Sequence, residues 1–199
     1  MILKANWLLG VAFTGSEGSG KTTLINRLAE VLNVPKTVNV VREAVKEMGL
    51  EKPPVFGTDK ELTREFQSWL LQKRSIREKF ILSPFLADRS SIDMFAYTLS
   101  HLAREDDMQA FLNDYYRQCV DYAKSMYEFH FFVPSGRIPL VDDGLRNTQP
   151  NNARLMHFII LGMLNNENIK HHVIQASGLD DRVDEVLWVM RENGLIKSV

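Results

Sequence analysis

The sequence predicts an α/β fold, a five-stranded parallel sheet with helices on both faces. Short apolar runs alternate with longer segments of helical periodicity along the whole chain. A glycine-rich loop joins the first apolar run to the first helical one, and no repeat or low-complexity tract interrupts the series. With 199 residues, 45% hydrophobic and 25% charged, the chain can bury one sizeable core, and a single domain over residues 1–199 is expected.

Trp7 to Phe13 reads as the first strand, followed by a helix from about Lys21 whose Leu24, Leu28, Val31 and Leu32 share one face. Val38 to Val41 reads as the second strand. Pro53, Pro54 and Gly57 make Lys52 to Thr58 a loop. A long helix is predicted from about Asp59 to Lys79, with Leu62, Phe66, Trp69, Leu70 and Ile76 inward. Phe85 to Ala87 is a brief strand ending at Asp88. Helices follow over about Ser91–Leu102 and Glu105–Met126, the second carrying Met108, Phe111, Leu112, Tyr115, Cys119 and Tyr122 at core spacing. Glu128 to Val133 is the fourth strand. After a polar excursion from Pro134 to Pro150, a helix over about Asn152–Asn165, a strand over His172–Gln175 and a helix over about Asp180–Asn193 complete the set.

The charge balance narrows the partners. Twenty-four basic and 25 acidic residues leave a formal charge of −1, so no global field draws in nucleic acid or an anionic membrane. Cys119 is the only cysteine, which rules out an internal disulfide and a cysteine-rich metal site. The apolar opening runs into the glycine-rich loop rather than a small-residue cleavage site, and the run from His157 to Leu164 is too short to span a bilayer. A cytoplasmic protein is expected.

Gly15-Ser16-Glu17-Gly18-Ser19-Gly20-Lys21-Thr22 satisfies G-x-x-x-x-G-K-[ST] between a predicted strand and a predicted helix. Glycines let backbone N–H groups curl around phosphates, and the helix N-terminus adds a favourable dipole. Lys21 is expected to reach the β- and γ-phosphates of ATP and Thr22 to place its hydroxyl on Mg²⁺. Thr23 completes the expected nucleotide contacts.

Two further places lie at predicted strand ends, where a parallel sheet builds its ligand site. Asp88 could hold Mg²⁺ or accept a proton, and Arg89 could grip a phosphoryl group bidentately; a capping acid with a surface ion pair is the plainer alternative. Glu43 follows the second predicted strand, with Arg42 beside it and Lys46 a turn on. A solvated charge run would look the same.

These stretches, with Glu43-Ala44-Val45-Lys46-Glu47, Asp88-Arg89-Ser90-Ser91-Ile92-Asp93 and Val141-Asp142-Asp143-Gly144-Leu145-Arg146, resemble in order and spacing the P-loop kinase-like ATPases. That AAA-type group is typified by the nicotinamide riboside kinase domain of the bacterial NAD-biosynthesis regulator. Lys46 stands where the family commonly has arginine. The resemblance implies an ATP- and Mg²⁺-dependent phosphotransferase acting on a small nucleoside or nucleotide.

A weaker likeness, to deoxynucleoside kinases, implies acceptor contacts from Gln67 and Arg74, seven residues apart on one helix face. A polar solvent face is the alternative there. The excursion resembles a kinase lid, at about 135–152, and carries Arg137 and Arg146, with Arg154 just beyond. Arg146 is the candidate for charge stabilisation. The turn Ala176 to Arg182 matches where related kinases pack adenine, with the stem of Arg182 against the base. In the mechanism so implied, Glu43 or Asp88 accepts the acceptor's proton while Lys21, Arg89 and Arg146 neutralise phosphoryl charge. The rivals are a nucleoside monophosphate kinase and a nucleotide-dependent switch or partner- or lipid-binding protein; a guanine switch would need an Asn-Lys-x-Asp motif, which is absent.

Overall fold

The computed structural model describes residues 3–37, 40–54, 59–81, 84–136 and 150–198. Its elements in chain order are β1 (Leu3–Ala5), β2 (Gly10–Thr14), α1 (Lys21–Leu32), α2 (Val41–Glu47), α3 (Lys60–Lys79), β3 (Phe85–Asp88), α4 (Ser91–Leu102), α5 (Gln109–Met126), β4 (Tyr127–Phe132), α6 (Pro150–Asn166), β5 (His171–Val173), α7 (Leu179–Glu192) and β6 (Ile196–Ser198). A 3-10 turn over Asp106–Met108 leads into α5.

Four strands form the main sheet in the order β3-β2-β4-β5, and every pairing is parallel. The second of the five expected strands, at Val38–Val41, does not form among the described residues. Val38 and Asn39 lie outside them, Val41 opens α2, and this edge contributes only an isolated parallel bridge from Lys36 to Leu86. Val-Asn-Val-Val is too short to carry a period and suits a helix start as well as a strand, and Val40, Ala44 and Val45 are buried in the core. The antiparallel pair β1–β6, which joins the two ends of the described chain, was not legible in the sequence.

The central strand β2 is buried at all five positions, as a parallel strand covered on both faces must be. Its Val11 and Phe13 pack into a layer with α1 and α7, including Leu24, Leu28, Val186 and Met190. Ala12 faces the opposite layer, built by α2 to α6, including Phe66, Leu70, Phe95, Tyr115 and Met156. Two side chains depart from the expected faces. Val31 is 37% exposed and Ile76 49% exposed; Ile25 fills the inner face of α1 instead, and the inner face of α3 carries Thr63, Phe66, Gln67, Leu70, Leu71, Arg74 and Glu78. The inner face of α3 is thus partly polar, and that polarity serves the site.

Most of the lid predicted at about 135–152, residues 137–149 with Arg137 and Arg146 among them, lies outside the described set. Its far end is helix: α6 starts at Pro150. Among the described residues no helix is long and apolar enough to cross a membrane.

Candidate active site

The loop Gly15–Gly20 leaves the carboxyl end of β2 and enters α1. Gly18 and Gly20 have φ of 68° and 84°, left-handed values at which a side chain is strained. Gly20 caps α1, so the capping position supplies no side chain to the first amides of the helix, and no acid stands in its first turn. Such a terminus suits an anion. Ser16, Glu17, Ser19 and Lys21 are buried; Thr22 and Thr23 are exposed.

Lys21 Nζ donates to the Ser16 carbonyl and, at 3.0 Å, to Ser19 Oγ. Burial, and then the neighbouring Arg89 charge, pull its pKa down to about 8. Thr22 Oγ1 donates to Asp88 Oδ2 at 2.7 Å. The two are brought together because β3 lies beside β2 and pairs Asp88 with Phe13, two residues before the loop. A hydroxyl and a carboxylate oxygen at the head of α1 are the hard donors that Mg²⁺ takes alongside phosphate and water. Among the described residues no group of three or more His, Cys, Asp or Glu could hold a metal alone.

Arg89 lies beside the loop. Its Nη1 approaches the Gly15 carbonyl at 3.4 Å and Asp93 Oδ1 at 3.5 Å, and its guanidinium lies 5.2 Å from the Tyr97 ring centre. Its φ is +71°, uncommon for a residue with a β-carbon. Arg89 N–H donates to the Phe13 carbonyl at 3.0 Å.

Asp93, whose role the motif alone does not reveal, organises the site. Fully buried, it accepts from Gly15 N–H at 2.9 Å, Ser90 N–H at 2.8 Å, Ser90 Oγ at 3.2 Å and Thr14 Oγ1. Ser90 and Asp93 form a capping box at the start of α4. The spacing Ser-x-x-Asp before an apolar run was the available signal.

Glu17 Oε1 accepts from Asn152 Nδ2 at 3.0 Å, and Glu17 N–H meets Tyr97 OH at 3.3 Å. Arg182 crosses from α7: Nη1 donates to the Ser19 carbonyl at 3.0 Å and Nε to the Ala176 carbonyl at 3.1 Å. Glu185 holds the same turn from the other side, accepting from Gln175 N–H at 2.8 Å and Ala176 N–H at 2.8 Å.

The remaining candidates lie elsewhere. Glu43 on α2 pairs with Lys73, at 3.2 Å, and with Arg77 on α3. Partial burial opposes these partners, but their hydrogen bonds hold its pKa below the usual carboxylate range, which makes it a weaker base. Arg42 is exposed on the same helix. Gln67 and Arg74 are 4% and 2% exposed, so α3 does not present them on a solvent face. The Gln67 carbonyl accepts from Tyr115 OH at 2.8 Å, and its Oε1 has no hydrogen-bond partner among the described residues.

Arg74 is held by the protein's own backbone and side chains. Nη1 donates to Glu78 Oε1 at 2.7 Å, to the Arg89 carbonyl at 2.9 Å and to Tyr127 OH at 3.2 Å; Nη2 donates to the Asp88 carbonyl at 2.9 Å. The cause is topological. The start of β4 brings Tyr127 beneath α3, so the guanidinium meets a closed polar pocket.

A family model described as an AAA domain matches residues 10–182. No curated protein sequence matches the chain. Among solved structures the chain is similar to the NadR protein in complex with NR, at 18% identity and a TM-score of 0.69, covering 96% of this chain and 54% of that one. It thus spans about half the length of NadR. Deoxyadenosine kinase from M. mycoides with bound dATP aligns at 15% identity and a TM-score of 0.67 over 92% of this chain and 99% of that one. Thymidylate kinase from Candida albicans aligns at 14% and 0.63 over 96% and 95%. The shared fold is that of P-loop kinases.

Proposed function

The chain belongs to the AAA domain family, and from that premise we propose that it is an ATP- and Mg²⁺-dependent phosphotransferase whose acceptor is a nucleoside or nucleotide. The observation that carries the reading is the Thr22–Asp88 contact of 2.7 Å beside the buried Lys21, at the head of α1. It joins a hydroxyl and a carboxylate suited to Mg²⁺ with a cation suited to the phosphates. Mg²⁺ held there would offset phosphate charge.

In this reading the backbone amides of residues 16–22 hold the phosphate chain, while the Gly15 N–H stays on Asp93. Lys21 leaves the Ser16 carbonyl and the Ser19 hydroxyl for the β- and γ-phosphates. Arg89, held against Tyr97 and Gly15, stands ready for charge on the transferring group. Arg182 and Glu185 hold the turn that packs the base. Glu43 is engaged by Lys73 and Arg77, whereas Asp88 meets Thr22 beside the loop, so Asp88 is the carboxylate at the reacting end, while Arg146 in the segment after β4 completes the charge stabilisation. Deoxyadenosine kinase and thymidylate kinase, by their names acting on a nucleoside and a nucleotide, and NadR, seen in complex with NR, support a small acceptor of that class.

The experiment is to follow ADP release with ATP and Mg²⁺ while nucleosides and monophosphates, nicotinamide riboside included, are supplied one at a time. One acceptor should stimulate turnover in the native chain and none in Lys21→Ala. Binding of ATP with no stimulation by any acceptor would move the protein into the class of nucleotide-dependent switches.

A further inference from the structure

We propose that Arg74 is a positioning residue of the phosphoryl-transfer centre, acting through the backbone of Asp88 and Arg89. The inference rests on the reading of Thr22 and Asp88 as the Mg²⁺ seat. Its basis is how the two peptide planes around Arg89 are held. The plane joining Asp88 to Arg89 is fixed at its N–H by the Phe13 carbonyl, at 3.0 Å, and at its carbonyl by Arg74 Nη2, at 2.9 Å. The plane joining Arg89 to Ser90 is fixed at its carbonyl by Arg74 Nη1, at 2.9 Å, and at its N–H by Asp93, at 2.8 Å.

Those two planes define φ and ψ of Arg89. With both held at both ends, the backbone keeps a left-handed φ of +71° that it would otherwise leave. Arg74 supplies two of the four restraints. Without the left-handed turn, the chain after β3 would swing, taking the Arg89 side chain from the phosphate loop and the Asp88 carboxylate from Thr22.

The fork is itself braced. Glu78 Oε1 accepts from Arg74, and Oε2 accepts from Tyr122 OH at 2.8 Å and Tyr127 OH at 2.6 Å. A planar guanidinium reaches both carbonyls and the carboxylate at once; an ammonium on a shorter stem cannot. A simple buried ion pair would need Glu78 alone. The convergence of consecutive carbonyls from the Asp88–Arg89 step is what marks a positioning role.

The test is ATP binding by the full chain, titrated calorimetrically with and without Mg²⁺, for the native protein and Arg74→Lys, with circular dichroism to confirm folding. The native protein should bind ATP more tightly with Mg²⁺. In Arg74→Lys, Mg²⁺-free affinity should stay within about twofold, while the gain from Mg²⁺ falls about tenfold, as loss of an outer support to a metal ligand does elsewhere.

An unchanged Mg²⁺ gain in folded Arg74→Lys, with only the melting temperature lowered, overturns the proposal. If that variant does not fold, Tyr127→Phe takes its place, expected to reduce the gain by about two- to threefold; a native gain there overturns the proposal equally. A native protein that binds ATP but gains nothing from Mg²⁺ overturns the seat itself, and the phosphotransferase reading with it.

Discussion

The Asp93 carboxylate accepts the Gly15 N–H at 2.9 Å, so the first amide of the phosphate loop is held by a side chain from α4. The same carboxylate takes Thr14, Ser90 N–H and Ser90 Oγ and lies 3.5 Å from Arg89 Nη1. Every partner is a donor. Asp93→Asn puts an amide donor among them and removes the charge facing Arg89. The variant should lose about 2–4 kcal/mol of stability, read from urea unfolding, and bind ATP more weakly. Stability and ATP affinity both equal to the native protein's would exclude this anchoring role.

Gly15 is constrained twice. Its φ is +142°, and an added β-carbon would stand 2.4 Å from the Val133 carbonyl oxygen. That oxygen belongs to backbone tied down by the Val133 N–H to Thr14 carbonyl bond of 2.8 Å, so it cannot yield cheaply. Gly15→Ala is expected to cost about 2–4 kcal/mol and to displace the loop. Comparing its chemical denaturation and ATP affinity with those of Gly49→Ala separates the effects, because nothing lies within 4 Å of a β-carbon at Gly49 and only the left-handed strain is shared.

Lys21 should show a trade between stability and function. Its folded pKa of about 8, lowered by burial and then by Arg89, lies below that of the unfolded chain. Protonated Lys21 therefore opposes folding at neutral pH, and that opposition fades as pH rises from about 8 toward the unfolded value. Lys21→Met should raise the stability of the ligand-free protein at pH 7 by up to about 3 kcal/mol while abolishing tight ATP binding. Near pH 8 the native protein should take up a proton as the phosphates restore the charge, which calorimetry in buffers of differing ionisation enthalpy would detect. ATP binding at pH 8 with no buffer dependence would contradict it.

The loop motif and the helix boundaries were legible because local chemistry writes them. Glycines need particular backbone angles, Asp59 caps α3 through the amides of Glu61 and Leu62, and α4 keeps the predicted bounds Ser91–Leu102. The interior roles of polar residues were not, because they depend on which strand lies beneath a helix. Arg74 reads as a solvent-facing or ligand-facing residue from its spacing. Only the pairing of β2 with β3 and β4 brings Asp88, Arg89 and Tyr127 under it. Val38–Val41 failed for the opposite reason: a short β-branched run carries no period, and packing against α3 makes part of it helix. Asp93 carried a legible capping signal whose second task, holding Gly15, arises from tertiary structure alone.

His130 gives a pH dependence with a defined sign. It lies in the middle of β4, fully buried, its ring edge-on to Tyr127 at 5.3 Å, and neither ring nitrogen has a hydrogen-bond partner among the described residues. Burial lowers its pKa to about 3, with Asp93 opposing and His171 assisting. The folded value lies below the unfolded one, so folding is favoured with the ring neutral, and stability is lost as pH falls from about 6.5 toward 3. Between pH 7.5 and 5 this one group should remove about 2 kcal/mol. His130→Phe keeps an aromatic ring at the site and removes both unpaired nitrogens. The variant should match or exceed native stability at pH 7.5 and lose about 2 kcal/mol less on going to pH 5, measured by urea denaturation at the two pH values. Parallel pH slopes for variant and native protein would mean that the acid sensitivity resides in other groups.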